Sequence, residues 1–265
     1  MKANYHTHTY RCMHARGTDE DYVKAAVDGG FDVLGFADHA PWRFDSDFVS
    51  GIRMKPHQLP DYVASIAGLQ EKYRGQIRLY TGLEIEYFPR YRDQYSRLRD
   101  AGIQYFILGQ HYLDSEETGP YVGRMNARDD GEVMRYAEAV AEGLATGLFR
   151  YLCHPDLFLR SSPEFTPGCE RAADVICQAA LEAHVPLEFN LLGFYNILCG
   201  DPFGYPNVDF WNYIRRWNNQ TILGVDAHNP ELLNNDALWD SGLDVLNTMG
   251  FERLTALEGL NGGEA

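Results

Sequence analysis

Short apolar runs alternate with longer amphipathic stretches along this chain. The runs are rich in β-branched and aromatic residues and are bounded by Gly, Pro, Asn or Asp, the pattern of strands. They fall at 3–5, 33–37, 77–83, 105–109, 151–153, 186–189 and 221–225. Between them, apolar residues recur at helical spacing. Thr18-Asp19-Glu20-Asp21 supplies a cap and an acidic first turn for a helix running to about residue 28, which Gly29-Gly30 ends. Further helices are predicted over about 60–73, 92–101, 129–146, 168–184, 208–218 and 239–249, with a short strand at 253–257. Residues 261–265 read as a frayed tail.

Strands alternating with helices imply an α/β fold with a parallel sheet and right-handed crossovers. A length of 265 residues suits one α/β barrel. Pro, Gly and Ser are scattered, with no linker and no repeat, so residues 1–265 are expected to form a single domain. In a closed barrel of parallel strands, chemistry gathers at the C-terminal strand ends.

Those ends carry an unusual set. His6, His8, His39, Glu84, His111, His154, Asp226 and His228 lie at or just past predicted strands, and His14 lies in the loop after the first. In an extended segment, residues i and i+2 share a face, so His6-Thr7-His8 presents two imidazoles together. Asp226-Ala227-His228 repeats that spacing with a carboxylate and an imidazole, which suits a divalent ion. Gly224, just before it, would let the backbone approach closely. Glu84 follows Gly82-Leu83 and could bridge two ions, but Glu86 lies on the same face, and spacing alone does not choose between them. Each single histidine is most simply a packed residue. Together, seven of nine histidines would have to reach one barrel face by accident.

Charge and composition narrow the chemistry. The net charge of -15 disfavours nucleic acid as the main partner, because backbone affinity needs clustered Lys and Arg. A small phosphorylated substrate remains compatible, since metal ions reverse the potential locally. The first residues do not read as a signal peptide, and no apolar stretch is long enough to span a membrane. Five cysteines without a CxxC pair are expected to be reduced thiols in a cytoplasmic protein.

The set His6-Thr7-His8, His14, Ala37-Asp38-His39, Gly82-Leu83-Glu84, Gly109-Gln110-His111, His154-Pro155-Asp156 and Asp226-Ala227-His228 resembles the PHP (polymerase and histidinol phosphatase) superfamily, from residue 5 to about residue 230. The resemblance implies a distorted (β/α)7 TIM-like barrel and three divalent metal ions, with Zn, Fe or Mn as candidates. It implies His6, His8, Glu84 and Asp226 around the first ion. Glu84, His111 and His154 would hold the second, with Glu84 bridging, and His14, His39 and His228 the third. It also selects Glu84 over Glu86. Within the superfamily the chain is most similar to stand-alone histidinol-phosphate phosphatases, in its length, in its Tyr-His-Thr-His-Thr start and in Leu187-Glu188-Phe189-Asn190.

The implied reaction is metal-dependent hydrolysis of L-histidinol phosphate to L-histidinol and phosphate, a step of histidine biosynthesis. Coordination lowers the pKa of water towards ~7, so a hydroxide bridging two ions could attack phosphorus in line. Asp156 and Asp38 are candidates for proton donation, although either could instead orient a ligand imidazole. Arg160 is the first candidate for binding the phosphate, followed by Arg11 and Arg43, because an arginine fork matches a phosphoryl group. Asn190 is a further candidate substrate contact. Phe44, Phe48, Phe158, Phe194 and Tyr195 lie in strand-end loops, with packing the simpler account of each. Cys12 and Cys153, beside ligands, also read as packed residues.

Alternative readings are another small phosphoester, such as a nucleotide phosphodiester or phosphotyrosine, or a non-catalytic metal-binding module. An amidohydrolase would need a bridging lysine at the fourth strand, where His111 stands, and no Lys follows Lys72.

Overall fold

The computed structural model describes residues 1–162, 164–201 and 204–260, so the expected tail at 261–265 lies outside the described residues. Seven parallel strands form one sheet in sequence order: β1 (Ala3–Asn4), β2 (Val33–His39), β3 (Arg78–Ile85), β4 (Tyr105–Leu108), β5 (Phe149–Leu152), β6 (Leu187–Asn190) and β7 (Thr221–Gly224). Each strand pairs only with its sequence neighbours until the two edges meet. There, Thr7 and Ala227 form a parallel bridge in which His8 N donates to Ala227 O and Ala227 N donates to His6 O. The result is a nearly closed (β/α)7 barrel.

Helices α1 (Asp19–Asp28), α2 (Leu59–Lys72), α3 (Arg92–Asp100), α4 (Asp130–Ala145), α5 (Pro167–Ala183), α7 (Val208–Ile214) and α8 (Asp236–Met249) occupy the predicted places within a few residues. The predicted cap of α1 is present as a reciprocal pair: the Thr18 hydroxyl accepts from Asp21 N, and the Asp21 carboxylate accepts from Thr18 N.

Three expectations about the frame change. Helix α6 (Leu191–Leu198) follows β6 directly and is not apparent in the sequence pattern. Its run Leu-Leu-Gly-Phe-Tyr-Asn-Ile-Leu is apolar nearly all round, so no helical stripe shows. The strand expected at 253–257 reduces to one bridge between Thr221 and Arg253. Strands β2 and β3 also run further than predicted, so His39 and Glu84 are strand residues, paired in register with each other. Among the described residues, no helix is long and apolar enough to cross a membrane.

Candidate metal centre

The eight strand-end residues and His14 meet at one mouth of the barrel, around Glu84. Glu84 is buried, and its two oxygens serve different neighbours. Oε1 lies 2.8 Å from His154 Nε2 and 3.1 Å from His111 Nε2. Oε2 lies 2.9 Å from His39 Nδ1, 3.4 Å from His8 Nε2 and 3.5 Å from His6 Nε2. Asp226 Oδ1 closes the second group, 3.1 Å from His8 Nε2 and 3.4 Å from His6 Nε2. A third group forms at the rim, where His14 Nε2 and His228 Nε2 approach to 3.0 Å.

Local backbone conformations aim these groups. His154 and Asp226, both non-glycine, adopt positive φ of 28° and 52°. Strain of this kind concentrates where a site demands a particular direction. Two glycines make room behind the ligands. A β-carbon at Gly109 would collide with the Glu84 carboxylate, and one at Gly224 with that of Glu188. The close approach expected at Gly224 therefore serves Glu188.

The donor set fits divalent cations. His6 Nε2, His8 Nδ1 and Nε2, His39 Nδ1 and Asp226 Oδ1 are buried without a hydrogen-bond partner, a costly arrangement for an apolar interior. The 3.1–3.5 Å spacings among these and the Glu84 oxygens match the edges of a polyhedron with metal–ligand bonds of about 2.0–2.2 Å. The two carboxylates are held ionised. Burial favours the neutral form of Glu84, but His111, His39 and His6 outweigh it and hold the carboxyl well below the usual range. Burial likewise loses to His6 and His8 at Asp226. Burial pushes His39 down to about 3, the neutral state a ligand needs, against the pull of Glu84.

Three further carboxylates stand behind the ligands. Glu188 Oε1 lies 2.7 Å from His6 Nδ1, while its Oε2 accepts from His154 N at 3.0 Å. Glu86 Oε1 lies 3.2 Å from His111 Nδ1. Asp38 Oδ1 lies 3.6 Å from His8 Nδ1, and Asp38 also accepts from the Thr9 hydroxyl and from His39 N. Such partners fix the tautomer and ring plane of a ligating histidine. The sequence offers a signal for two of them, since Glu86 and Glu188 each sit two residues from another polar group, at the end of β3 and in β6.

Above the cluster opens a cavity of about 510 Å³, lined by the metal-facing groups other than His6 and His8 and by Tyr112, Tyr121, Tyr205, Arg124, Arg160 and Asn196, among others. Arg160 is thus where the sequence placed it. Arg11 is not. It is 3% exposed, outside the cavity, and spends its guanidinium on Asp19 at 2.8 Å and Asp61 at 2.7 Å. Arg43 lines a separate hollow with Trp42, Phe48 and His57. Asn190 is consumed on both ends of its amide. Its Oδ1 caps α6 by accepting from Gly193 N, and its Nδ2 donates to Glu188 and Asp226. Asp156 accepts from Asn207 N and Trp211 Nε1, which ties it to the α7 side, and burial pushes its carboxyl up to about 6. Neither Asp156 nor Asp38 lines the cavity. The aromatic wall is made of three tyrosines, and Phe44, Phe48, Phe158, Phe194 and Tyr195, for which packing is the simpler account, do not line the cavity. Arg124 and the tyrosines sit in loops whose course the periodic pattern does not encode.

Comparison with known proteins extends these observations. Residues 4–191 match the PHP domain family. The protein of Deinococcus radiodurans named "Probable histidinol-phosphatase" is 31% identical over 235 residues, covering 85% of each chain. The crystal structure of the HisK protein of Listeria monocytogenes superposes with a TM-score of 0.73 at 21% identity, over 88% of this chain and 98% of that one. That of the histidinol phosphate phosphatase HisK of Lactococcus lactis, complexed with zinc, L-histidinol and phosphate, gives 0.72 at 16% identity, over 98% and 97%. At such identities the two structures speak for the fold.

Proposed function

This chain belongs to the PHP domain family, and from that premise we propose that it is a metal-dependent phosphomonoester hydrolase converting L-histidinol phosphate to L-histidinol and phosphate. One observation carries the chemistry: nine ligand-type side chains converge beneath a cavity whose only free cations, among the described residues, are arginines. The relative named as a histidinol-phosphatase and the HisK complex with histidinol and phosphate support the substrate.

His6, His8, Glu84 and Asp226 would hold one ion. Glu84 would share its other oxygen with a second at His111 and His154, and His14, His39 and His228 would hold a third. Zinc is the first candidate, since nitrogen-rich ligation suits it and the Lactococcus protein carries it. Bound ions supply a nucleophilic water at neutral pH and offset charge on the phosphoryl oxygens.

The chain's own residues do the rest. Glu188 and Glu86 keep the imidazoles of His6 and His111 in one tautomer and one plane, and Asp38 places a carboxylate 3.6 Å from His8 Nδ1. Arg160 and Arg124, in the cavity wall, offer forked donors to a phosphoryl group. Tyr112, Tyr121 and Tyr205 give flat walls against an imidazole ring and exclude water from it. The two arginines should act on binding before they act on turnover. Arg160→Ala is expected to raise KM for the phosphoester by about 10-fold, on the order of one charged hydrogen bond, with the metal content unchanged. An unmoved KM removes Arg160 from the substrate.

A substrate panel tests the reading. Histidinol phosphate, a nucleotide phosphodiester, phosphotyrosine and p-nitrophenyl phosphate are compared by kcat/KM with the zinc- and manganese-loaded protein. Clear preference for histidinol phosphate is expected. Preference for another ester overturns the substrate, and no turnover of any phosphoester by the metal-loaded protein overturns the enzyme.

A further inference from the structure

At the rim of the centre, the lone pairs of two imidazoles face each other. His14 Nδ1 lies 2.7 Å from Cys12 O, and His228 Nδ1 lies 3.0 Å from Asp226 O. A carbonyl oxygen only accepts, so each Nδ1 donates, and in the neutral ring this leaves Nε2 as the ligating atom. These two Nε2 atoms are 3.0 Å apart. Both rings thus present their ligating atoms to one point at the rim.

The third group at this point is a thiol. Cys12 ends the short helical turn Tyr10–Cys12, and Met13 beyond it takes a left-handed φ of 68°, which turns the chain so that Cys12 and His14 face the same space. Cys12 is fully buried, and its sulfur and a ring nitrogen of each of His14 and His228 all lie within 4.8 Å of one another. His8, whose two ring nitrogens are buried and unpartnered, also borders the sulfur. An inert packed cysteine sits among apolar atoms. This one sits among three imidazoles.

We propose that Cys12 is a metal ligand, placing a sulfur donor on the ion held by His14 and His228. The inference rests on the metal reading above and goes beyond it, because the nine ligand residues supply only nitrogen and oxygen. On binding, the S–H proton passes to solvent and the thiolate takes the ion, as for any cysteine site. A sulfur donor makes the rim site softer than the two inner ones. It should prefer zinc, iron or cobalt over manganese or magnesium, while the inner pair, which holds both carboxylates, discriminates less. It also ties the rim ion to the redox state of Cys12.

Zinc K-edge absorption on the zinc-loaded protein, prepared under reductant, tests this. The expected spectrum contains a sulfur shell at ~2.3 Å beside nitrogen and oxygen at ~2.0–2.1 Å. The shell should vanish in Cys12→Ser and persist in Cys153→Ser, which controls for the thiol next to His154. Cys12→Ser should also lose about one zinc per chain to a chelator at a concentration at which the wild type keeps it, since losing a ligand weakens affinity at least about 10-fold. A wild-type spectrum with nitrogen and oxygen only, or a sulfur shell that survives Cys12→Ser, overturns the proposal even if the variant folds poorly. Protein that takes up no zinc at all overturns the metal reading itself, whereas zinc without sulfur overturns only the role of Cys12.

Discussion

Glu84→Gln is expected to lower kcat/KM by about 10³-fold, on the order of 4 kcal/mol of transition-state stabilisation. The substitution keeps the volume and shape of the side chain. It removes the anion and replaces one oxygen by an NH2 group, which donates and has no lone pair for a metal. Each oxygen of Glu84 has its own set of imidazoles, His111 and His154 on one side and His6, His8 and His39 on the other. Whichever way the amide turns, one group loses its shared ligand, so no orientation of the amide spares both ions. Kinetics with elemental analysis on the same samples check this. The zinc content should fall together with the rate, and wild-type activity with a full metal complement would refute the bridging role of Glu84.

Arg53→Met is expected to lower the thermal midpoint by roughly 10 °C. Arg53 is 2% exposed, a full positive charge buried in the loop between β2 and α2. Its guanidinium contacts Glu86 at 2.8 Å, Glu116 at 2.7 Å and the Ala40 carbonyl at 3.2 Å. Breaking such a buried pair from one side costs about 3–5 kcal/mol, because the remaining charge is stranded. At roughly 2–4 °C per kcal/mol for a chain near this size, the shift is large. The more deeply buried of the two stranded carboxylates is Glu86. Burial alone would raise its pKa, but Arg53 and His111 hold it well below the usual carboxylate range.

The pH dependence follows from that direction. A depressed carboxyl contributes stability above its unfolded pKa of ~4.3, and the contribution is lost as pH falls through the folded value. In the variant, Glu86 is buried with less compensation, so its penalty is relieved on protonation. The gap between wild type and Arg53→Met should therefore narrow from pH 7 towards pH ~4. Thermal melts at both values decide it, and an equal gap at each pH would show that Glu86 is not the stranded group. Because Glu86 also touches His111, activity should fall alongside stability.

Much of this protein is legible without coordinates. The alternation of apolar runs with amphipathic stretches encodes strand and helix order. Once the strands are parallel and the sheet curls shut, their C-terminal ends have one place to meet. His6, His8, His39, Glu84, His111, His154, Asp226 and His228 could be collected that way because position along a strand is a one-dimensional property. The missed helix, Leu191–Leu198, shows the limit of the same logic, since an apolar run without a stripe carries no period.

What lay beyond reach depends on direction across the barrel wall. Glu84 and Glu86 share a strand face in the sequence, and only family resemblance separated them. In the fold, β3 ends at Ile85, so Glu84 stays in the mouth while Glu86 turns back to Arg53 and His111. Arg160 and Arg11 look alike as loop arginines, yet one faces the cavity and the other is buried against Asp19 and Asp61, groups 8 and 50 residues away along the chain. Glu188 became the partner of His6 through a contact spanning 182 residues. The sequence by itself determined which residues could reach the mouth of the barrel, because strand order and strand ends are local facts. Only the tertiary structure decided which of them face the ions, which brace the ligands and which merely pair with each other, because those roles depend on groups far apart in sequence and on the direction in which each strand releases its last residue.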